Sequence, residues 1–508
     1  MHRVTLQGME NRKYQHSVSA SLQLPLALFL PALRAYGLAY ISTTGPRLLT
    51  LLLYLYRKKS ARYSVLSSTY KILKGSLAIR RFPTFCGALV GGHTFLQIPL
   101  RVVYDYCCSI AGIKNGRSRR LYDARHAVPR FVAALLSAWF SLQLLNRAKP
   151  AKVDETASNK ILGDSQDQPA TSPESKLSVR TSRADAQPST PLLSGKTIDL
   201  TILAVTRALD TLIVNAWRRS QSFRSPTGTL KTLSRHTDTL MFALGSGAIM
   251  WAWFYLPTRL PTAYNKWIGS AAQVDSRLIH LLREARAERL IYGKDTGHAP
   301  ILQSMCTEYD WPLEWGDPAI TTPFPCEVVH MGTGPSCHWH AAVRFTRAFK
   351  FALATNLPLQ ILVKGRHPSM KAFRRACEVA VRSSAFLGAF VGLFYYGVCL
   401  SRTCLGPNIF SRDTITLQMW DSGLCVGAGC VLCGWSILIE AEKRREELAM
   451  FVAPRALATW LPREYDAKYF WREKAAFSVS VAVLFTLANE DPMKVRGVLG
   501  RVLHSVLQ

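Results

Sequence analysis

Apolar residues in this 508-residue chain gather into stretches of roughly 17 to 25 positions with few charges, about the length a helix needs to cross ~30 Å of hydrocarbon. Five such segments lie in the first part, at about 36–56, 85–103, 131–145, 198–217 and 240–256. After a more polar stretch come five more, at about 341–363, 386–400, 423–439, 448–461 and 475–487. The pattern predicts an all-α, polytopic membrane protein.

The two series match in order and in residues, as an internal duplication would leave them. Phe85-Cys-Gly87-Ala88-Leu-Val90-Gly91 returns as Phe386-Leu-Gly388-Ala389-Phe-Val391-Gly392, and Arg101 and Arg402 each follow ten residues after the second glycine. In the third segments Trp139 falls on Trp435. The fourth pair Thr206-Arg207-Ala208-Leu209 with Pro454-Arg455-Ala456-Leu457, and the fifth set Asp238, Phe242 and Pro257 on Glu473, Phe477 and Pro492. Chance could give one such block, hardly four in order. The expected architecture is therefore two homologous helical repeats of four or five membrane segments each.

This divides the chain into an N-terminal region (1–33), a first repeat (34–269), a connecting segment (270–340) and a second repeat (341–508). The first repeat carries an insertion at 149–196, rich in Ser, Thr, Asp, Lys and Pro, which cannot bury enough apolar surface to offset its ordering entropy and reads as a disordered linker. In the connecting segment Leu278, Leu281, Leu282, Ala285 and Leu290 alternate with four arginines, an amphipathic helix lying on a membrane surface or on its own protein.

A formal net charge of +30 would suggest nucleic acid in a soluble protein. Here the cations flank apolar segments, as Arg57, Lys58, Lys59, Arg80 and Arg81 do, where they snorkel toward lipid head groups; no nucleic-acid partner is expected. The twelve cysteines are scattered, several within apolar segments, and do not form a secreted disulfide framework. A cleavable signal peptide is not expected from the N-terminus.

Three sets of residues are candidates for more than packing. The Gly87/Gly91 and Gly388/Gly392 pairs each place two glycines one turn apart on a helix face, which lets a neighbouring backbone approach closely; the two second helices would meet or play equivalent roles. Arg207 and Arg455 sit within the fourth segments. Either those segments cross the bilayer with the arginine facing a polar interior, beside Asp210 in the first half, or they are interfacial helices; the second version, about fourteen apolar residues containing Pro454, is short for a span. Finally, Cys326, His330, Cys337 and His340 fall within fifteen residues and offer the thiolate and imidazole ligands of a tetrahedral Zn²⁺ site, although their spacing is not that of a zinc finger. A Cys326 to Cys337 disulfide or redox pair, or simple packing, would also account for them. No Gly-x-Ser-x-Gly, phosphate-binding loop or dinucleotide fingerprint occurs, so no enzyme activity is expected.

The Pro325-Cys326 to Cys337 run leading into an apolar helix, the Phe386-x-Gly-Ala-x-Val-Gly392 motif and the basic Lys443-Arg444-Arg445 stretch resemble the transmembrane protein 135 family, best from about Trp311 to the C-terminus. The resemblance implies a protein of peroxisomal or, alternatively, mitochondrial membranes, linked to lipid and fatty-acid handling without an assigned catalytic activity. That family is in turn distantly similar to the mitochondrial translocase (Tim) proteins, with glycine-rich membrane helices. The functions expected are movement or accommodation of a lipid or metabolite between the two halves, with membrane lipids as partners and Arg207, Asp210 and Arg455 at the interface. The rival is a translocase-like scaffold joining a homo-oligomer or membrane complex through its glycine faces.

Overall fold

The computed structural model describes residues 28–52, 62–110, 119–146, 192–194, 197–223, 228–364, 369–411, 413–491 and 494–507. Most of the insertion expected to be disordered, 149–191 and 195–196, lies outside the described residues, as do 1–27. The part of the insertion that is described, Leu192–Ser194, is a short strand paired antiparallel with Glu464–Asp466. Apart from this ribbon the regular structure is helical.

Among the described residues three helices are long and apolar enough to cross a membrane: Arg125–Asn146, Met370–Ile409 and Leu417–Ile439. This is fewer than the four or five per half expected from the apolar runs. The fourth segments fold as Ile198–Phe223 and Glu442–Trp460, and neither is among the three. Many apolar side chains on the helices are nonetheless exposed, including Ile98, Val102, Val103 and Ile213, and separately Leu359, Leu362, Val431 and Trp460. Exposed apolar surface on this scale suits contact with lipid.

The chain forms two compact bodies: residues 1–218 with 464–508, and Arg219–Arg463. In the first, the helix over 28–52, Phe82–Ile110, Arg119–Asn146 and Ile198–Phe223 are joined by the late helix Phe470–Glu490. Its core mixes aromatics with small residues: Phe85, Phe477 and Phe485 pack among Ala35, Ala134, Ala138 and Ala204. Alanines bring the helix backbones close enough for the large side chains to fill the remaining gaps.

In the second body Cys337–Lys364 and Met370–Cys399 form a long helical hairpin, with Leu417–Ile439, Glu442–Trp460 and the earlier helix Gly228–Tyr255 packed around it. The connecting segment belongs to this body. Its helix Ser276–Arg286 starts where the Asp275 carboxylate accepts the Arg277 backbone N–H at 2.8 Å, satisfying one of the free donors of the first turn. Leu278, Leu281 and Ala285 are buried in the core, Arg283 donates to the Trp253 carbonyl at 3.2 Å, and Arg286 stacks over Trp251 and Tyr255. The amphipathic helix therefore lies on its own protein. Arg259 similarly donates to the Thr459 and Trp460 carbonyls, each at 3.0 Å, closing the C-terminal end of Glu442–Trp460.

Candidate functional site

Cys326 opens the short helix Cys326–His330, and Cys337 opens the long hairpin arm Cys337–Lys364. Between them the chain reverses through Met331, Gly332 and Gly334, all at positive φ; a Cβ on Gly332 would meet the Tyr309 ring at 2.7 Å, so only glycine suits that position. The reversal folds Cys337 back over the short helix. The ligand atoms of Cys326, His330 and Cys337 lie within 4.8 Å of one another, a group that can hold a metal ion. The two sulfurs are free thiols and not a disulfide.

The same turn orients His330. Its Nδ1 donates to the Gly334 carbonyl at 2.7 Å, which leaves Nε2 unprotonated and available as a ligand. Burial lowers the pKa of this imidazole and raises that of the Cys326 thiol, the Cys337 sulfur adding to the latter. The histidine is thus in the form a metal takes, and the thiol needs a nearby cation to ionise. His340 stands apart from this group. Its ring stacks on His330 with centroids 4.5 Å apart, its Nδ1 bonds the Thr333 hydroxyl, and burial holds its pKa down to about 3. It buttresses the His330 ring.

A sulfur absent from the expected set faces the group instead. Cys399, the last residue of the second hairpin arm, places Sγ 3.4 Å from His330 Nε2 and close enough to interact with both Cys337 and Cys326. Sequence distance hid it: Cys399 lies 69 residues from His330 and inside an apolar run. The signal was the hairpin, since arms of 28 and 30 residues return the chain to the level at which it began.

One turn further, Arg402 makes a bidentate pair with Asp421, Nε to Oδ1 at 2.7 Å and Nη2 to Oδ2 at 3.0 Å, and the Tyr292 hydroxyl donates to the same carboxylate. Both ions are nearly fully buried. Arg402 Nη1 has no hydrogen-bond partner among the described residues. A cavity of about 60 Å³, lined by Phe254, Leu278, Phe324 and Val398, reaches this pair.

A second cavity, of about 140 Å³, is lined by Phe242, Ile249, Met250, Phe386, Phe390 and Phe451, with Ser246 contributing a hydroxyl. Apolar cavities near ~150 Å³ stay dry and accept a benzene-sized hydrocarbon.

The other expected site residues fall elsewhere. Gly87 and Gly91 face Tyr36 and Ala32, and Gly388 and Gly392 face Phe345 and Ala341, so each glycine pair seats the first helix of its own half. Asp210 pairs with Arg496, Gly497 lies against Arg207, and Arg455 stacks on Phe451 while donating to its carbonyl at 2.6 Å. The partner of Asp210 thus comes from 286 residues further along the chain.

No protein-family model, curated protein or solved structure matches the chain.

Proposed function

We propose that this chain is a multi-pass membrane protein that holds a lipid or fatty-acyl chain without transforming it, in a peroxisomal or mitochondrial membrane as the resemblance to the transmembrane protein 135 family implies. The observation that carries the reading is the 140 Å³ apolar cavity among the Phe242, Phe386 and Phe451 helices. Its volume takes the end of an acyl chain rather than the whole, and its aromatic and aliphatic wall suits methylene groups and offers little to a polar metabolite. The three long apolar helices among the described residues and the exposed apolar side chains support a setting in which acyl chains are abundant.

On this reading the two halves are duplicated units, and three paired contacts support it. Each glycine pair seats its own first helix. Phe85 packs on Phe477 at 6.0 Å between centroids in one body, and the matching Phe386 packs on the matching Phe242 at 5.6 Å in the other. Each body thus takes its fifth helix from the opposite half. The scaffold reading loses its proposed surface, because the glycine faces are filled from within the chain.

The test is cross-linking of a photoactivatable alkyl fatty acid to the purified protein in detergent. Labelled peptides should span 242–250 and 386–394, and Ile249→Trp, which fills the cavity, should remove the label. Labelling spread over the exposed helix faces and indifferent to Ile249→Trp would refute the proposal.

A further inference from the structure

We propose that Cys326, His330, Cys337 and Cys399 together bind one Zn²⁺ in a closed Cys₃His site that fastens the connecting segment to the open end of the helical hairpin. The argument rests on donor geometry and is independent of lipid binding.

Four donors converge from three separate stretches of chain. Three of them already lie within 4.8 Å of one another. The fourth, Cys399 Sγ, stands 3.4 Å from His330 Nε2. Zn–S bonds of about 2.3 Å and Zn–N bonds of about 2.0–2.1 Å at tetrahedral angles set an S···N edge near ~3.5 Å. The observed separation is therefore that of two ligands on one ion. His330 is held as metal-bound histidines are, its other nitrogen donating to a backbone carbonyl at 2.7 Å.

Binding releases three protons, one from each thiol, while His330 Nε2 supplies a lone pair and loses none. The resulting Zn²⁺ with three thiolates carries one net negative charge. Arg402 stands close enough to favour a thiolate at Cys326. With all four positions taken by protein, no site is left for water or substrate, which makes the ion structural rather than catalytic. What it would fix is concrete: the turn through Gly332 and Gly334, and with it the Cys326–His330 helix, against residues that open and close the hairpin.

The experiment uses the full chain purified under reducing conditions in detergent, first for zinc content by elemental mass spectrometry, then for X-ray absorption at the zinc edge. The expected result is one zinc per chain with a first shell of three sulfurs and one nitrogen. Cys399→Ser should lower zinc retention after dialysis against a chelator by at least about tenfold. The shell measured on the unmodified protein keeps the test valid even if Cys399→Ser fails to fold. Zinc at background, a shell dominated by oxygen and nitrogen, or a Cys326 to Cys337 disulfide found by non-reducing peptide mapping would each overturn the proposal.

Discussion

In the body built from residues 1–218 and 464–508, Phe85 packs on Phe477, and sixteen residues after Phe85 the Arg101 guanidinium reaches Gln97 at 3.5 Å. In the body Arg219–Arg463, Phe386 packs on Phe242, and Arg402, at the same distance along its helix, is locked to Asp421 and Tyr292. The helical packing is alike, and the polar surroundings are not. Tyr292, Cys326 and His330 all come from the connecting segment, which packs in the second body. The comparison teaches that helices alone supply a packed frame, while the buried ion pair and the Cys/His group sit where the connecting segment is laid against them.

The largest effect should come from the buried ion pair. Asp421→Ala leaves the Arg402 guanidinium buried without its carboxylate and should cost about 3–5 kcal/mol, read as thermal unfolding in detergent. Replacing both, as Arg402→Met with Asp421→Leu, should recover most of that loss. Arg101→Met in the other body removes one long hydrogen bond and should cost about 1 kcal/mol or less. Equal losses from Asp421→Ala and Arg101→Met would break the contrast.

The glycines sharpen it at a smaller scale. A Cβ on Gly388 would stand 3.0 Å from the Phe345 carbonyl oxygen and 3.1 Å from its ring, whereas one on Gly87 would meet the Tyr36 side chain at an ordinary 3.4 Å. Gly388→Ala should therefore destabilise by about 1–3 kcal/mol through overpacking. Gly87→Ala should be neutral, or stabilising by up to about 1 kcal/mol from helix propensity. Unfolding of the two variants side by side measures this.

The smallest effect expected is an acid-limb change at the connecting segment. The hydrogen bond from Arg289 holds the Glu284 pKa down to about 2 from a usual 4.5. A carboxylate depressed on folding contributes stability that is present above the unfolded value and is lost as pH falls from about 4.5 toward 2. Glu284→Gln should flatten that limb by removing a contribution present near pH 7, and the loss there should be small because the pair is open to solvent on the Arg289 side.

Much of the frame was legible in the chain. Helical class follows from the apolar runs, and the glycine seats follow from a four-residue spacing that admits a close neighbour. The pairing of Phe85 with Phe477 was not legible, because periodicity says which face of a helix is buried but not which distant helix covers it. The same limit hid Cys399 and Asp421: each reads as part of an apolar segment until a hairpin or a turn brings it to its partners. His340, three residues from Cys337 and ten from His330, was the natural fourth ligand by sequence, yet its ring stacks on His330 instead. The fourth segments stayed open in sequence for a physical reason: an apolar run interrupted by arginine, as at Arg207 and Arg455, makes a helix whether or not it crosses, and neither Ile198–Phe223 nor Glu442–Trp460 is among the three described helices apolar enough to do so.

The most direct test of the account is native mass spectrometry of the full chain released from detergent, compared with Ile249→Trp. The account predicts an acyl-lipid adduct on the unmodified protein that disappears in the variant, with the folded charge-state distribution unchanged. A protein that carries no lipid adduct, or one whose adduct survives when the Phe242, Phe386 and Phe451 cavity is filled, would contradict it.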